Sequence, residues 1–165
     1  AKHTVFYDRL PHYFMEFDIY DREERRFFST RKRREFLAAA PFICSVRVLA
    51  EGYYSSVEEI SAYIGKSAFL SEEKEQSFEK QCRRAGVRTE EARRQTDLSG
   101  IMEGIYIKVE EGDYVTDRLK YVRGSFLNTI LNSESHWVKR PIVVNCLAEG
   151  ADLFDAGEGG AGNER

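Results

Sequence analysis

The sequence has little of what commits a chain to a special environment. Its 165 residues include three prolines, one tryptophan and three cysteines, Cys44, Cys82 and Cys146. The cysteines form no CxxC pair and leave an odd number, which argues against a disulfide framework or a thiolate metal centre. They read as structural thiols in a reducing cytosol, with Cys44 and Cys146 as small buried hydrophobes. The three histidines, His3, His12 and His136, lack metal-ligand spacing. No apolar run approaches the roughly 20 residues that cross a bilayer. The first residues, starting with an Ala rather than a Met, have neither the basic segment nor the apolar segment of an export signal. A cytoplasmic chain with no membrane partner is expected.

Net charge is small as well. The formal value is -3, and residues 149–165 hold five acids and one base, so the remainder carries +1. A protein that coats nucleic acid is not implied, although the run Arg31-Lys32-Arg33-Arg34 could form a local phosphate-binding surface or simply a wet helix face. What the chain has in quantity is aromatic residues, 13%, with eleven Phe and nine Tyr. Together with 42% apolar content this suffices for one packed domain, expected over 1–148, with 149–165 as a disordered acidic, glycine-rich tail.

Along the chain, the aromatic segment Tyr13 to Asp21 predicts a strand with Glu16 and Asp18 on one side, paired with a strand around Thr4 to Tyr7. A third short strand is expected near Arg26 to Ser29. Thr30 reads as the cap of a helix stopped by Pro41, and Phe42 to Leu49 as a buried strand. Ser55-Ser56-Val57-Glu58-Glu59 resembles a capping box opening a helix that ends near Gly65. Residues 70–97 predict a charged helical pair, capped at Ser71 and Thr89 and broken at Gly86, peripheral to the fold. Glu111-Gly112-Asp113 has the composition of a tight turn between strands Ile101 to Glu110 and Tyr114 to Val122. A helix around Ser125 to Leu131 and an extended stretch from Pro141 to Leu147 follow. The class expected is α+β, antiparallel sheets with peripheral helices.

Three segments invite a joint reading: Phe14-Met15-Glu16-Phe17-Asp18-Ile19-Tyr20-Asp21, Glu103-Gly104-Ile105-Tyr106-Ile107-Lys108, and Arg118-Leu119-Lys120-Tyr121. In this order they resemble successive motifs of the covalent nucleotidyltransferases. The flanks Ala1-Lys2-His3-Thr4, Leu10-Pro11, Ser135-His136-Trp137 and Arg140-Pro141-Ile142 are similar to the ATP-dependent RNA ligase branch. The resemblance covers roughly residues 1–147 and implies the C-terminal part of a ligase adenylation domain.

Enzymes of that family attack ATP with a lysine, pass AMP to an RNA 5′-phosphate and seal it to a 3′-hydroxyl. The resemblance implies roles for matching positions. Phe17 would stack on the adenine and Asp18 would orient a neighbour or the nucleotide. Glu103 would help bind Mg²⁺ or Mn²⁺, as hard cations take oxygen ligands. Lys108 would touch the α-phosphate, with Arg118 and Lys120, two apart on one strand, stabilising the same developing charge. ATP or AMP and RNA ends are the implied partners, with no obligate protein partner. Glu103 and Lys108 are five apart and would face opposite sides of a regular strand; a bulge or bend at Gly104 would re-aim the glutamate.

One element of the family pattern is missing. No Lys-x-Asp-Gly-like segment occurs, and Lys2 stands in the wrong context to replace it, so truncation is expected and the chain alone should form no covalent adenylate. Other readings stay open: a non-catalytic nucleotide- or RNA-binding module, a structural domain, or a capping enzyme or DNA ligase of the same superfamily.

Overall fold

Ser29, Ser56 and Gly86 mark helix ends in the computed structural model, which describes residues 4–131 and 142–153. Ser29 Oγ accepts the amide of Lys32 at 3.3 Å and caps α1, Thr30–Leu37. The cap therefore falls one residue before the expected Thr30, whose own amide and hydroxyl donate to Glu110 Oε1 at 2.9 and 2.7 Å. Ser56 Oγ accepts the Glu59 amide at 3.2 Å and opens α2, Val57–Ser61, while the Glu59 carboxylate accepts from the Ser55 amide and hydroxyl. The first unpaired amides of both helices are thus satisfied locally, as short polar side chains allow.

Helix α3, Lys74–Ala85, ends at Gly86 in the left-handed conformation, φ 65°, where a side chain would be strained. Ser71 is not its cap: the Ser71 hydroxyl donates to Asp8 Oδ2 at 2.5 Å and accepts the Glu73 amide. Thr89 is likewise the first residue of α4, Thr89–Arg94, rather than its cap.

The strands are shorter than their composition suggests. Strand β1, Tyr20–Asp21, pairs antiparallel with β2, Arg26–Phe27, in the register Tyr20↔Phe27 and Asp21↔Arg26. Only this end of the expected strand 13–21 enters a ladder; Glu16 forms an isolated parallel bridge to Ser45, and Val5 one to Asp97. The segment Phe42 to Leu49 forms no strand, and both its end residues are exposed. Aromatic and β-branched residues favour extended backbone, but a ladder needs a partner at matching register, which composition does not supply. The hairpin of β3, Gly104–Glu111, and β4, Tyr114–Val122, forms as expected, its turn at Gly112 having φ 59°. Helix α5, Gly124–Leu131, follows. The fold is α+β, with two small antiparallel sheets among the described residues.

The chain divides into two compact units. The first comprises Ala1–Pro11, Tyr53–Ile105 and Lys120–Glu149. Its core is Phe6, Phe78, Cys82 and Ala92, with Val87, Leu98, Val143 and Cys146 packed against it. Phe6 and Phe78 meet edge to face at 5.3 Å. The helical pair expected at the periphery therefore provides the interior. Its few apolar residues lie at helical spacing, Phe78 and Cys82 four apart on one face, while charges such as Arg93, Glu75 and Glu79 pair on others. All three cysteines are free thiols; Cys82 is the fully buried one, and Cys44 and Cys146 are only partly covered.

The second unit comprises His12–Gly52, Tyr106–Leu119 and Gly150–Arg165. Phe28 and Val115 are buried, and Phe28 makes an edge contact with Phe36 at 5.6 Å. The basic run on α1 is not a free cationic face. Arg33 is buried and bonds Glu16 Oε2 at 2.9 Å, an oxygen that also accepts from Ser45 Oγ. Arg31 pairs with Glu35 and Asp113, Arg34 with Glu51, and Lys32 donates to the Tyr114 hydroxyl.

The flanks at 1–3, 132–141 and most of the expected tail, 154–165, lie outside the described residues. Among the described residues no helix is long and apolar enough to cross a membrane.

Candidate functional site

Glu16 anchors the segment that carries Phe17 and Asp18. Its amide donates to Cys44 O at 2.7 Å, its carbonyl accepts the Val46 amide at 2.8 Å, and its side chain is held by Arg33. In the extended backbone that follows, side chains alternate. Glu16 and Asp18 turn inward, each side chain 7% exposed, while Phe17 between them is 50% exposed.

Asp18 gathers three partners, all from β3 and β4. Tyr106 Oη donates to Oδ2 at 2.7 Å, Lys108 Nζ stands 3.2 Å from Oδ1, and Arg118 Nη1 lies 3.7 Å from Oδ2. The Lys108 contact is an ion pair outside hydrogen-bonding geometry. Lys108 also donates to the Phe17 carbonyl at 3.4 Å. Tyr106 meets the Phe17 ring edge to face at 5.5 Å. Burial, and then the bond to Asp18, push the Tyr106 hydroxyl above its ordinary acidity constant. The structure thus brings Phe17, Asp18, Lys108 and Arg118 together within one unit.

Glu103 and Lys120 belong to the other unit. Glu103 precedes β3, so the alternation of a regular strand does not govern its direction and no bulge at Gly104 is needed. Gly104 matters for a different reason: a Cβ there would stand 2.0 Å from Tyr121 O, so β4 backbone occupies the space. The Glu103 carbonyl accepts the Arg123 amide at 3.1 Å, and Tyr7 Oη donates to Glu103 Oε1 at 2.7 Å. The Tyr7 backbone is itself fixed, its amide bonding Asn145 Oδ1 and its carbonyl accepting from Cys146. Burial first, then the Glu103 carboxylate, raise the Tyr7 hydroxyl well above its usual range. Lys120 is exposed on β4.

The chain matches the RNA ligase family over residues 1–122. It belongs to that family. No curated protein and no solved structure matches it. The matched span contains Phe17, Asp18, Tyr106, Lys108 and Arg118 of the first group and Tyr7, Glu103 and Lys120 of the second, while Arg123, Asn145 and Cys146 lie beyond it.

Two residues of these groups escaped the sequence reading. Tyr106 had a signal: it is two residues from Lys108 on one strand and so shares its face. Tyr7 had none, because it reaches Glu103 across 96 residues. Several bonding positions remain for a ligand. An ammonium has three donors, and Lys108 commits two sides to Asp18 and Phe17 O. The Phe17 ring keeps an exposed surface suited to a flat base, and Glu103 Oε2 can serve a hard cation alongside phosphate and water oxygens. Among the described residues no group of three or more acidic, histidine or cysteine side chains forms a complete metal cage. A cation held by one carboxylate and its own waters, as Mg²⁺ commonly is, is the kind this donor set fits.

Proposed function

We propose that the chain carries the later motifs of the nucleotidyltransferase domain of an ATP-dependent RNA ligase, which joins RNA 5′-phosphate and 3′-hydroxyl ends through adenylated intermediates. The supporting observation is Asp18, held inward against Lys108, Tyr106 and Arg118 beside the half-exposed Phe17 ring, in a chain of the RNA ligase family. In this reading Phe17 stacks on the adenine. Asp18 fixes Lys108 so that the ammonium already points at the α-phosphate before charge develops there, a saving in reorganisation that preorganised donors provide.

Arg118 and Lys120 add positive charge for the non-bridging oxygens. Tyr7 turns the Glu103 carboxylate, which would contact Mg²⁺ or Mn²⁺. The metal, when bound, neutralises phosphate charge. Residues 1–165 contain no Lys-x-Asp-Gly segment, and in this reading they take up no covalent adenylate by themselves.

The test has two arms. Binding of ATP to the 165-residue chain should weaken by about 1–3 kcal/mol on Phe17→Ala, the scale of a base stacked on an aromatic side chain. A polypeptide carrying these residues together with the coding sequence upstream should become labelled by ATP radioactive at the α-phosphate, in the presence of Mg²⁺. Absence of label from that longer polypeptide would sink the ligase reading.

A further inference from the structure

The β1–β2 turn is unusual for its cations. Asp21 Oδ1 accepts the amides of Glu23 and Glu24 at 3.0 and 3.2 Å and closes the turn. Arg25 then takes a left-handed conformation, φ 57°, found at no other non-glycine residue among those described. Arg25 and Arg26 are both exposed, and neither has a carboxylate partner among the described residues. They border an open recess of about 740 Å³, entirely within the second unit, whose aromatic lining is Tyr20, Phe27 and Tyr106. Arg118 lines it as well, its Cζ 3.9 Å from the centre of the Phe27 ring. Tyr20 meets Phe27 edge to face at 4.9 Å and remains 47% exposed.

Exposed guanidinium groups without a carboxylate partner among the described residues, that of Arg26 lying over the Tyr114 ring at 4.5 Å, stand beside an exposed tyrosine and the stacked Arg118, a combination with a defined chemistry. Guanidinium forks suit phosphodiester oxygens, and an unstacked base is received on an aromatic face or on a guanidinium plane. A folded duplex presents its bases edge-on and cannot use such a platform. We propose that this recess binds a single-stranded segment of RNA, with backbone phosphates on Arg25 and Arg26 and a base on Tyr20. The inference rests on the ligase reading for its choice of RNA, but it assigns residues which that reading does not use. The acids nearby, Asp21, Glu23, Glu24 and Asp117, keep their charge, but Asp117 is turned to the Arg118 amide and Asp21 to the turn amides, and among the described residues none forms an ion pair with Arg25 or Arg26.

The experiment is fluorescence anisotropy of a labelled single-stranded RNA with the 165-residue chain at low salt, compared with the double variant Arg25→Gln/Arg26→Gln and with Tyr20→Ala. Arg118 and Tyr106 are left intact because they contact Asp18. The expected result is at least a tenfold loss of RNA affinity in the double variant. Its slope of log affinity against log salt should become shallower by about 1.4, at about 0.7 per released phosphate contact. Tyr20→Ala should lose about tenfold with no change in salt slope. Far-ultraviolet circular dichroism should be unchanged in both variants, and ATP binding should equal that of the parent chain.

Undetectable RNA binding by the parent chain, or unchanged affinity in the double variant, overturns the proposal while leaving the ligase reading to the adenylation test. Parallel loss of RNA and ATP binding also overturns it, since the recess would then belong to the adenylate pocket. A loss in the arginine variant with none in Tyr20→Ala overturns the base platform.

Discussion

In the unit built from Ala1–Pro11, Tyr53–Ile105 and Lys120–Glu149, Phe6 and Phe78 are buried against Cys82 and Ala92. In the other unit Phe14, Phe17, Tyr20, Phe36 and Phe42 are exposed, and the deeply buried side chains include Glu16, Ser29 and Arg33. The first interior is mainly apolar and non-directional, with Asp97 paired to Arg123 at its side; the second combines Phe28 and Val115 with directed polar contacts. The difference teaches where precision is needed. Apolar burial stabilises in proportion to area but tolerates small rotations. A buried carboxylate clamped between a guanidinium and a hydroxyl fixes direction, at a desolvation cost that good geometry offsets. Glu16 is the residue before Phe17, so the rigidity of that clamp is delivered next to the candidate adenine platform.

The comparison breaks first at Phe78. Phe78→Ala should destabilise the chain by about 3–5 kcal/mol in denaturant unfolding, as large core truncations do. A loss below about 1 kcal/mol would mean that the apolar interior is not what supports the first unit.

The matching change in the second unit is Arg33→Met, expected to cost about 3 kcal/mol because it strands the Glu16 carboxylate with only the Ser45 hydroxyl. Glu16 Oε1 and Arg33 Nε already lack hydrogen-bond partners, so the pair is not fully satisfied. Adding Glu16→Gln to Arg33→Met should therefore recover most of the loss. Equal destabilisation of the single and double variants would show that packing, not charge pairing, holds this interior.

Gly104→Ala should cost about 2 kcal/mol, the usual scale of overpacking, as its Cβ meets Tyr121 O at 2.0 Å. Thermal unfolding measures it, and an unchanged midpoint would refute the close approach of the strands.

The smallest effect concerns protons. Tyr106 is held in its neutral form by burial and by Asp18. A raised constant means that its stabilising contribution is complete below the ordinary value of 10.0 and is lost as pH rises through the shifted value. Spectrophotometric titration should find one tyrosine moving to lower pH in Asp18→Asn. If no tyrosine moves, the bond to Asp18 does not govern Tyr106.

Much of this was legible along the chain. Gly112 in its acidic context announced the hairpin, and Gly86 the end of α3, because left-handed backbone favours glycine wherever it occurs. The alternation of Glu16, Phe17 and Asp18 placed the two acids on one side, whereas that this side is buried and the Phe17 ring exposed was decided by the tertiary structure. Other features were not legible, for identifiable reasons. Arg33 has the same sequence surroundings as Arg31 and Arg34, yet it alone is buried, since its partner Glu16 comes from 17 residues away. Phe78 and Cys82 were hidden by charged neighbours on the other faces of α3.

Local chemistry thus determined the turns, the caps near Ser29 and Ser56, the α+β class and the resemblance to RNA ligases, because those depend on residues within a few positions of one another. Only the tertiary structure decided which cation is buried, that Tyr106, Lys108 and Arg118 share Asp18, that Tyr7 steadies Glu103, and that Arg25 and Arg26 border an aromatic recess. Each of those facts is a contact between segments far apart in sequence, and the energy that selects such contacts comes from burial and directed pairing that no short window of residues contains.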